Sequence, residues 1–258
     1  MAIQDLIAKV RKRLRTSGGK PANPLFDFDG AALPSSDAEA LLAAADNDVA
    51  RLIYGHKGHV IHKWLHYAGI YNREFAPWRE RNPVFLEIGI FKGGSIEMWR
   101  DYFGPEATIA GIDINPECAN FVHAPNRAFI GSQADPAFLR GVIKEIGTPD
   151  IILDDGSHVA THQMVSFQTL FPLLKVGGLY VIEDLHTSYW PGFYEGGYQR
   201  KGTGIELAKT LVDDMHGWYH DRAAQLVDKT SIASIRFYDS IVVIEKGEIS
   251  APRHIKIG

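Results

Sequence analysis

From Pro83 onward the chain alternates short apolar runs with helical periodicity, and this alternation restricts its fold more than any other feature. Val84-Phe85-Leu86-Glu87-Ile88 reads as a strand buried on both faces, and Gly89 ends it. Four more runs of the same kind follow: residues 107–112 stopped by Asp113, Arg127 to Ile130, Ile151 to Leu153, and Gly178 to Ile182. Between them apolar residues recur at helical spacing: Ile96, Met98, Trp99 and Tyr102; then Phe138, Leu139, Val142, Ile143 and Ile146; then Met164, Phe167, Leu170 and Leu174. Strands that alternate with helices predict a parallel sheet with helices on both faces, joined by right-handed crossovers. The end of the chain breaks the pattern. After a helix with Leu207, Leu211 and Met215, runs at 234–237 and 241–245 lie only Tyr238-Asp239-Ser240 apart. No parallel crossover is that short, so the last two strands are expected to form an antiparallel hairpin.

A chain of 258 residues with 45% hydrophobic content can build one large core, here divided into a helical extension or cap over 1–82 and a main domain over 83–258. In the extension, residues 16–36 read as an irregular linker. Ser36-Asp37 then caps a helix with Ala40, Leu41, Leu42 and Ala45 that continues or restarts through Val49, Leu52 and Ile53. Tyr54 to His59 read as a glycine-broken polar loop, and a further helix is expected around Trp64, Leu65, Tyr67 and Ala68. His56, His59, His62 and His66 stand three and four apart, roughly one helical face, with no acidic or thiol ligand to complete a metal site. The net charge of −4 gives no general affinity for nucleic acid. The lone cysteine, Cys118, rules out an intrachain disulfide and fits a reducing cytoplasm; it reads as a small packed residue. No uninterrupted apolar run reaches the ~18 residues of a membrane span. Residues 2–15 have the pattern of a basic amphipathic helix, expected to dock on the domain or a neighbouring subunit, or to touch anionic lipid as a peripheral membrane contact.

Two of the apolar runs end in paired acids. The first leads into Asp154-Asp155-Gly156-Ser157-His158, the second into Glu183-Asp184. If these strands are parallel neighbours, Asp155, Glu183 and Asp184 meet at one edge of the sheet with His158 just beyond, in the crevice where open α/β sheets hold ligands. Carboxylates gathered this closely repel unless a cation sits among them, and an all-oxygen set suits Mg²⁺, Mn²⁺ or Ca²⁺ rather than zinc. An imidazole beside such a cation is the side chain best matched to removing a proton near neutral pH. The plainer alternative is that Asp155 and Asp184 cap helices and His158 is an ordinary loop histidine.

The first strand enters a glycine-rich turn, Glu87-x-Gly89 followed by Gly93-Gly94-Ser95, in which backbone approaches a ligand and helix N–H groups point at it. A dinucleotide site would have G-x-G-x-x-G directly after the strand, although a nicotinamide cofactor stays open as an alternative. Asp113, at the second strand's end, is placed to accept from ribose hydroxyls in either case. Together with the five parallel strands and the closing hairpin, the turn resembles the class I S-adenosylmethionine-dependent methyltransferase fold, a Rossmann-like, mostly parallel seven-stranded sheet. That resemblance implies cofactor contacts from Glu87, Gly89, Gly93, Ser95, Asp113, Gln133, Asp135 and Asp154. Asp135 reads equally well as the cap of the helix after it.

The two acid motifs, the second extended as Glu183-Asp184-Leu185-His186-Thr187-Ser188-Tyr189-Trp190, are similar to those of the Mg²⁺-dependent sugar O-methyltransferases of macrolide and polyketide tailoring. They also resemble the wider group of rhamnosyl O-methyltransferases and cephalosporin hydroxylase-like proteins. The likeness runs from about Tyr54 to Trp190 and implies Asp155, Glu183 and Asp184 as ligands of Mg²⁺ (or Mn²⁺) and His158 as the general base. It implies S-adenosylmethionine-dependent methylation of a sugar hydroxyl on a glycosylated metabolite or lipid-linked sugar, by a cytoplasmic homo-oligomer. A metal-dependent phenol methyltransferase, a hydroxylase-like oxidoreductase and a non-catalytic binding module are the alternatives. The aromatic, glycine-punctuated stretch from Tyr189 to Tyr198 is expected to be a lid or acceptor wall.

Overall fold

The computed structural model describes residues 33–191 and 195–258, so the amphipathic stretch at 2–15 and the centre of the Tyr189–Tyr198 stretch lie outside the described residues. Seven strands form one sheet: β1 (Val84–Ile88), β2 (Thr108–Asp113), β3 (Arg127–Ile130), β4 (Ile151–Asp154), β5 (Leu179–Ile182), β6 (Ile232–Phe237) and β7 (Val242–Lys246). Their spatial order is β3-β2-β1-β4-β5-β7-β6. The first five pair in parallel, β7 runs antiparallel to β5, and β6 and β7 make the expected hairpin. The order reverses between β1 and β4, which opens a crevice above the carboxyl ends of those strands.

Two cores flank the sheet and differ in character. On one face, α5 (Pro136–Ile146), α6 (Ala160–Leu170) and α7 (Gly204–Met215) cover a mostly aliphatic layer with Leu86, Ile88, Ile152, Leu139 and Leu211. On the other face lie α2 (Asp48–Tyr54), α3 (Tyr67–Phe75) and α4 (Gly94–Phe103). There Tyr71, Phe75, Phe85, Trp99 and Phe103 pack mostly edge to face or tilted, with Tyr71 stacked on Phe75 and Trp99 to Tyr71 centroids 5.3 Å apart. Each such aromatic pair adds about 0.5–1.5 kcal/mol beyond the area it buries. Residues ahead of Pro83 therefore supply much of one face's covering. Among the described residues no helix is long and apolar enough to cross a membrane.

The structure departs from the sequence pattern mainly in this early region. Of the two courses open to the helix after Ser36-Asp37, the chain takes the restart: α1 (Ala38–Ala43) and α2 are separate, because Asn47 in extended conformation accepts from Ala50 N–H at 2.9 Å and starts a new helix. The helix expected around Trp64 begins only at Tyr67. His56, His59, His62 and His66 consequently share no helical face: they lie along an irregular segment broken by Gly55 and Gly58.

Candidate active site

The site occupies the crevice and has two sides. On the first, β1 delivers Glu87 into the interior and stops at Gly89, whose φ of +104° only glycine adopts without strain. A Cβ at Gly89 would sit 2.1 Å from the Asp155 carbonyl oxygen, and Asp155 N–H donates to the Ile88 carbonyl at 2.9 Å. The β1 and β4 tips are thus in direct backbone contact. Glu87 is fully buried; its Oε2 accepts from the Ser95 hydroxyl at 2.8 Å, and its Oε1 has no hydrogen-bond partner among the described residues. Burial pushes its carboxyl up to about 7.

The other residues expected on this side are held by protein partners. Asp113 accepts from the N–H groups of Ile90 and Phe91 at 3.1 Å and of Asn115 at 2.8 Å, tying the end of β2 to the glycine turn. Gln133 is a buried bridge that donates to Asp154 at 3.0 Å and accepts from Ser157 N–H at 2.7 Å. Asp135 caps α5 through Ala137 and Phe138 N–H, with Pro136 in the first helical position, so the capping role is present. Asp154 lies beneath the crevice floor, fully buried, accepting from Ser166 at 2.7 Å, Tyr180 at 3.1 Å and Gln133. Burial raises its pKa against the pull of those donors.

On the second side, the tips of β4 and β5 bring Asp155, His158 and Asp184 together, each partly exposed. His158 Nε2 is 3.5 Å from Asp184 Oδ2 and 4.0 Å from Asp155 Oδ1. Both His158 and Asp184 have φ of 54°, a left-handed backbone that non-glycine residues avoid and that recurs at functional sites. Tyr67 on α3 donates to Asp184 Oδ1 at 2.6 Å. Burial alone would raise the Asp184 carboxyl, but His158, the Tyr67 hydroxyl, His186 and Lys63 outweigh it and hold the group below its ordinary value.

Glu183, the remaining acid of the expected ligand trio, is buried and turned toward a residue that sequence reasoning missed. Lys63 Nζ lies 2.9 and 3.0 Å from the two Glu183 oxygens, 2.5 Å from Asp155 Oδ2 and 3.7 Å from Glu87 Oε1. Its side chain is only 3% exposed. Desolvation opposes its charge, yet Asp155, Glu183 and Glu87 hold the ammonium's pKa well above the usual lysine value. Glu183 moves upward in turn, through burial and then repulsion from Asp155. No pattern in the sequence marks Lys63, because a lysine on an irregular segment ordinarily reads as solvated.

Tyr67 and His186 were missed as well. His186 follows the second acid pair within the same motif; its Nδ1 is 2.5 Å from Ser240 Oγ, and its ring lies between Trp64 (5.5 Å) and Trp190 (4.9 Å). Trp190 is the part of the expected acceptor wall that reaches the site, whereas Tyr198 is largely exposed.

The arrangement fits a hard divalent cation. Among the described residues Glu87, Asp155 and Glu183 surround one ammonium, that of Lys63, Asp184 adds a further carboxyl beside His158, and the donors nearest His158 are carboxylate oxygens. It also fits an ammonium-bearing cofactor, because Glu87 Oε1 is a buried acceptor left over beside the glycine turn.

No family model matches the chain. It is 40% identical over 225 residues to 8-demethyl-8-alpha-L-rhamnosyl tetracenomycin-C 2'-O-methyltransferase of Streptomyces olivaceus, covering 81% of this chain and 58% of that protein. It is 36% identical over 192 residues to mycinamicin VI 2''-O-methyltransferase of Micromonospora griseorubida, covering 69% and 47%. Among solved structures, the MycE methyltransferase of the mycinamycin biosynthetic pathway, in complex with Mg, SAH and mycinamycin VI, superposes with a TM-score of 0.67 at 30% identity, covering 89% of this chain and 66% of that one. The chain thus spans about half the length of the curated relatives it matches. By this identity and this fold, the chain carries a class I methyltransferase domain homologous to that of sugar O-methyltransferases from the macrolide and tetracenomycin pathways.

Proposed function

We propose that the chain is an S-adenosylmethionine-dependent O-methyltransferase that methylates a sugar hydroxyl on a small glycosylated metabolite. The observation that carries this reading is the Asp155, His158 and Asp184 group at two neighbouring strand tips, in backbone contact with the glycine turn of β1. The 40%-identical rhamnosyl methyltransferase and the MycE structure with Mg and SAH support it. The catalytic domain is assigned to 83–258, with residues 1–82 as its helical extension.

Asp155 and Asp184, with Glu183 as third donor, would hold Mg²⁺ or Mn²⁺. A cation held there supplies Lewis acidity that makes a neighbouring sugar hydroxyl easier to deprotonate. His158 takes the proton at Nε2, the nitrogen that faces the acids, and the two carboxylates stabilise the imidazolium that results. Glu87 Oε1 and the turn from Gly89 through Gly93 to Ser95 bind the methionine end of the cofactor. Asp113 fixes the turn and borders the ribose, while Gln133, Asp135 and Asp154 brace the adenine side. Trp64 and Trp190, around His186, offer aromatic faces for a sugar ring. A cofactor held at the glycine turn would supply a sulfonium methyl, passed to the deprotonated sugar oxygen as the C–O bond forms and the S–CH3 bond breaks to leave S-adenosylhomocysteine, and the alignment these residues impose would supply much of the rate.

The test is His158→Ala with a competent rhamnosylated or related acceptor. Turnover should fall by about 10²–10⁴-fold, the usual contribution of a general base, while S-adenosylhomocysteine affinity by calorimetry stays the same. Undiminished turnover, or full turnover in excess chelator, would remove the mechanism.

A further inference from the structure

The segment from Gly55 to His66, which contains neither helix nor strand, is fastened at both ends to the site. At its start, His59 N–H donates to Glu97 on α4 at 2.9 Å, and the His59 and His56 rings lie 2.8 and 3.3 Å from the same carboxylate. It rests directly on the first residue of α4: a Cβ on Gly94 would sit 2.3 Å from the His59 carbonyl oxygen and 2.6 Å from that of Val60. At its far end, Lys63 inserts between Asp155 and Glu183, with Nζ at hydrogen-bond distance from three of their oxygens.

Those oxygens belong to two of the three acids assigned to the cation. Mg²⁺ draws its ligand oxygens to about 2.0–2.1 Å and requires near-octahedral geometry. An ammonium already lodged among the same oxygens takes up that space, and two cations sharing both carboxylates would repel across a short, poorly hydrated gap. Without either cation, Glu87, Asp155, Glu183 and Asp184 would confront one another unneutralised.

We propose that Lys63 is a tethered stand-in for the divalent metal: its ammonium and the metal occupy the acid group alternately, and entry of the metal expels Lys63 together with the end of the 55–66 segment. Lys63 is therefore a positioning residue, which keeps the acids assembled before the metal arrives. Because the segment lies on the glycine turn, loading of the metal also alters the cover over the cofactor side. This inference rests on the acid group being a metal site.

The test uses the full wild-type chain, freed of metal by chelation and dialysis. Mn²⁺ binding is followed by the paramagnetic resonance of the free ion. Lysine accessibility is measured by brief acetylation with an N-hydroxysuccinimide ester and peptide mass spectrometry, with the half-exposed Lys175 and Lys209 as internal references. Lys63 should be protected in the metal-free protein and acetylated at least tenfold faster at saturating Mn²⁺ or Mg²⁺. The Lys63→Met variant should bind Mn²⁺ at least tenfold more tightly than wild type. Saturable Mn²⁺ binding with Lys63 still protected, or equal affinity in the variant, overturns the exchange and leaves the metal site standing. Failure of Mn²⁺ to bind wild type or variant overturns both. If Lys63→Met does not fold, the wild-type footprint decides alone.

Discussion

Asp154 and Asp155 are adjacent in sequence, but one is enclosed in the sheet interior and the other opens onto the crevice. Asp154 is enclosed, with Ser166, Tyr180 and Gln133 all donating to it, and it shares a sheet face with Ile152 and Tyr180. Asp155 opens onto the acid group and meets Lys63 and His158. Successive side chains on a strand point to opposite faces, so one position separates a structural carboxylate from a working one. The same contrast extends over the whole site. After β2 and β3, Asp113 and Asp135 are satisfied by backbone donors; at the tips of β4 and β5, Asp155, Glu183 and Asp184 crowd together around Lys63 and His158.

This contrast can be broken by experiment. The largest effect is expected for Asp155→Ala, which should lower turnover by about 10²–10³-fold, as when a charge contact made in the transition state is lost. Its unfolding midpoint in urea should stay close to that of wild type. Asp154→Ala should do the reverse to the fold, costing about 3 kcal/mol in chemical denaturation because buried donors lose their acceptor. If the two variants exchanged these behaviours, the division of labour would be wrong.

Glu87 sharpens the comparison through pH. Its carboxyl rises from 4.5 to about 7 in the folded state, so folding favours its protonated form. The stability it contributes is fully present below pH 4.5 and is lost as pH climbs through about 7. Metal-free Glu87→Gln should therefore show a flatter fall in melting temperature across that window than wild type. A slope that does not change would show that Glu87 is not the titrating group. The smallest effect belongs to Asp135→Ala, which removes the α5 cap and should cost about 1 kcal/mol by urea denaturation without changing metal binding.

The sheet was legible because each parallel strand is a short, mostly apolar run, and the hairpin because Tyr238-Asp239-Ser240 leaves no room for a crossover. Paired acids at the ends of β4 and β5 were legible for the same reason: the strand ends fixed where they must lie. What was not legible depended on the direction of side chains. Asp154 was expected in the crevice and faces the sheet interior instead, while Glu183 turns to an ammonium that stands far from it in sequence. The glycine-broken loop from Tyr54 to His59 was legible, but spacing alone put the four early histidines roughly on one helical face, and instead His56 and His59 turn to Glu97. Lys63 carried no signal at all, since only the folded chain shows that it is enclosed.

At Gly89 the peptide of one strand tip rests on that of the next with no side chain to cushion them. On the proposed reading, a cofactor that nudged the β1 turn would push the Asp155 peptide as well, and a cation that tightened Asp155 would press back on the turn. Gly89→Ala would wedge the two strand ends apart, and each ligand would then lose its mechanical sense of whether the other is seated.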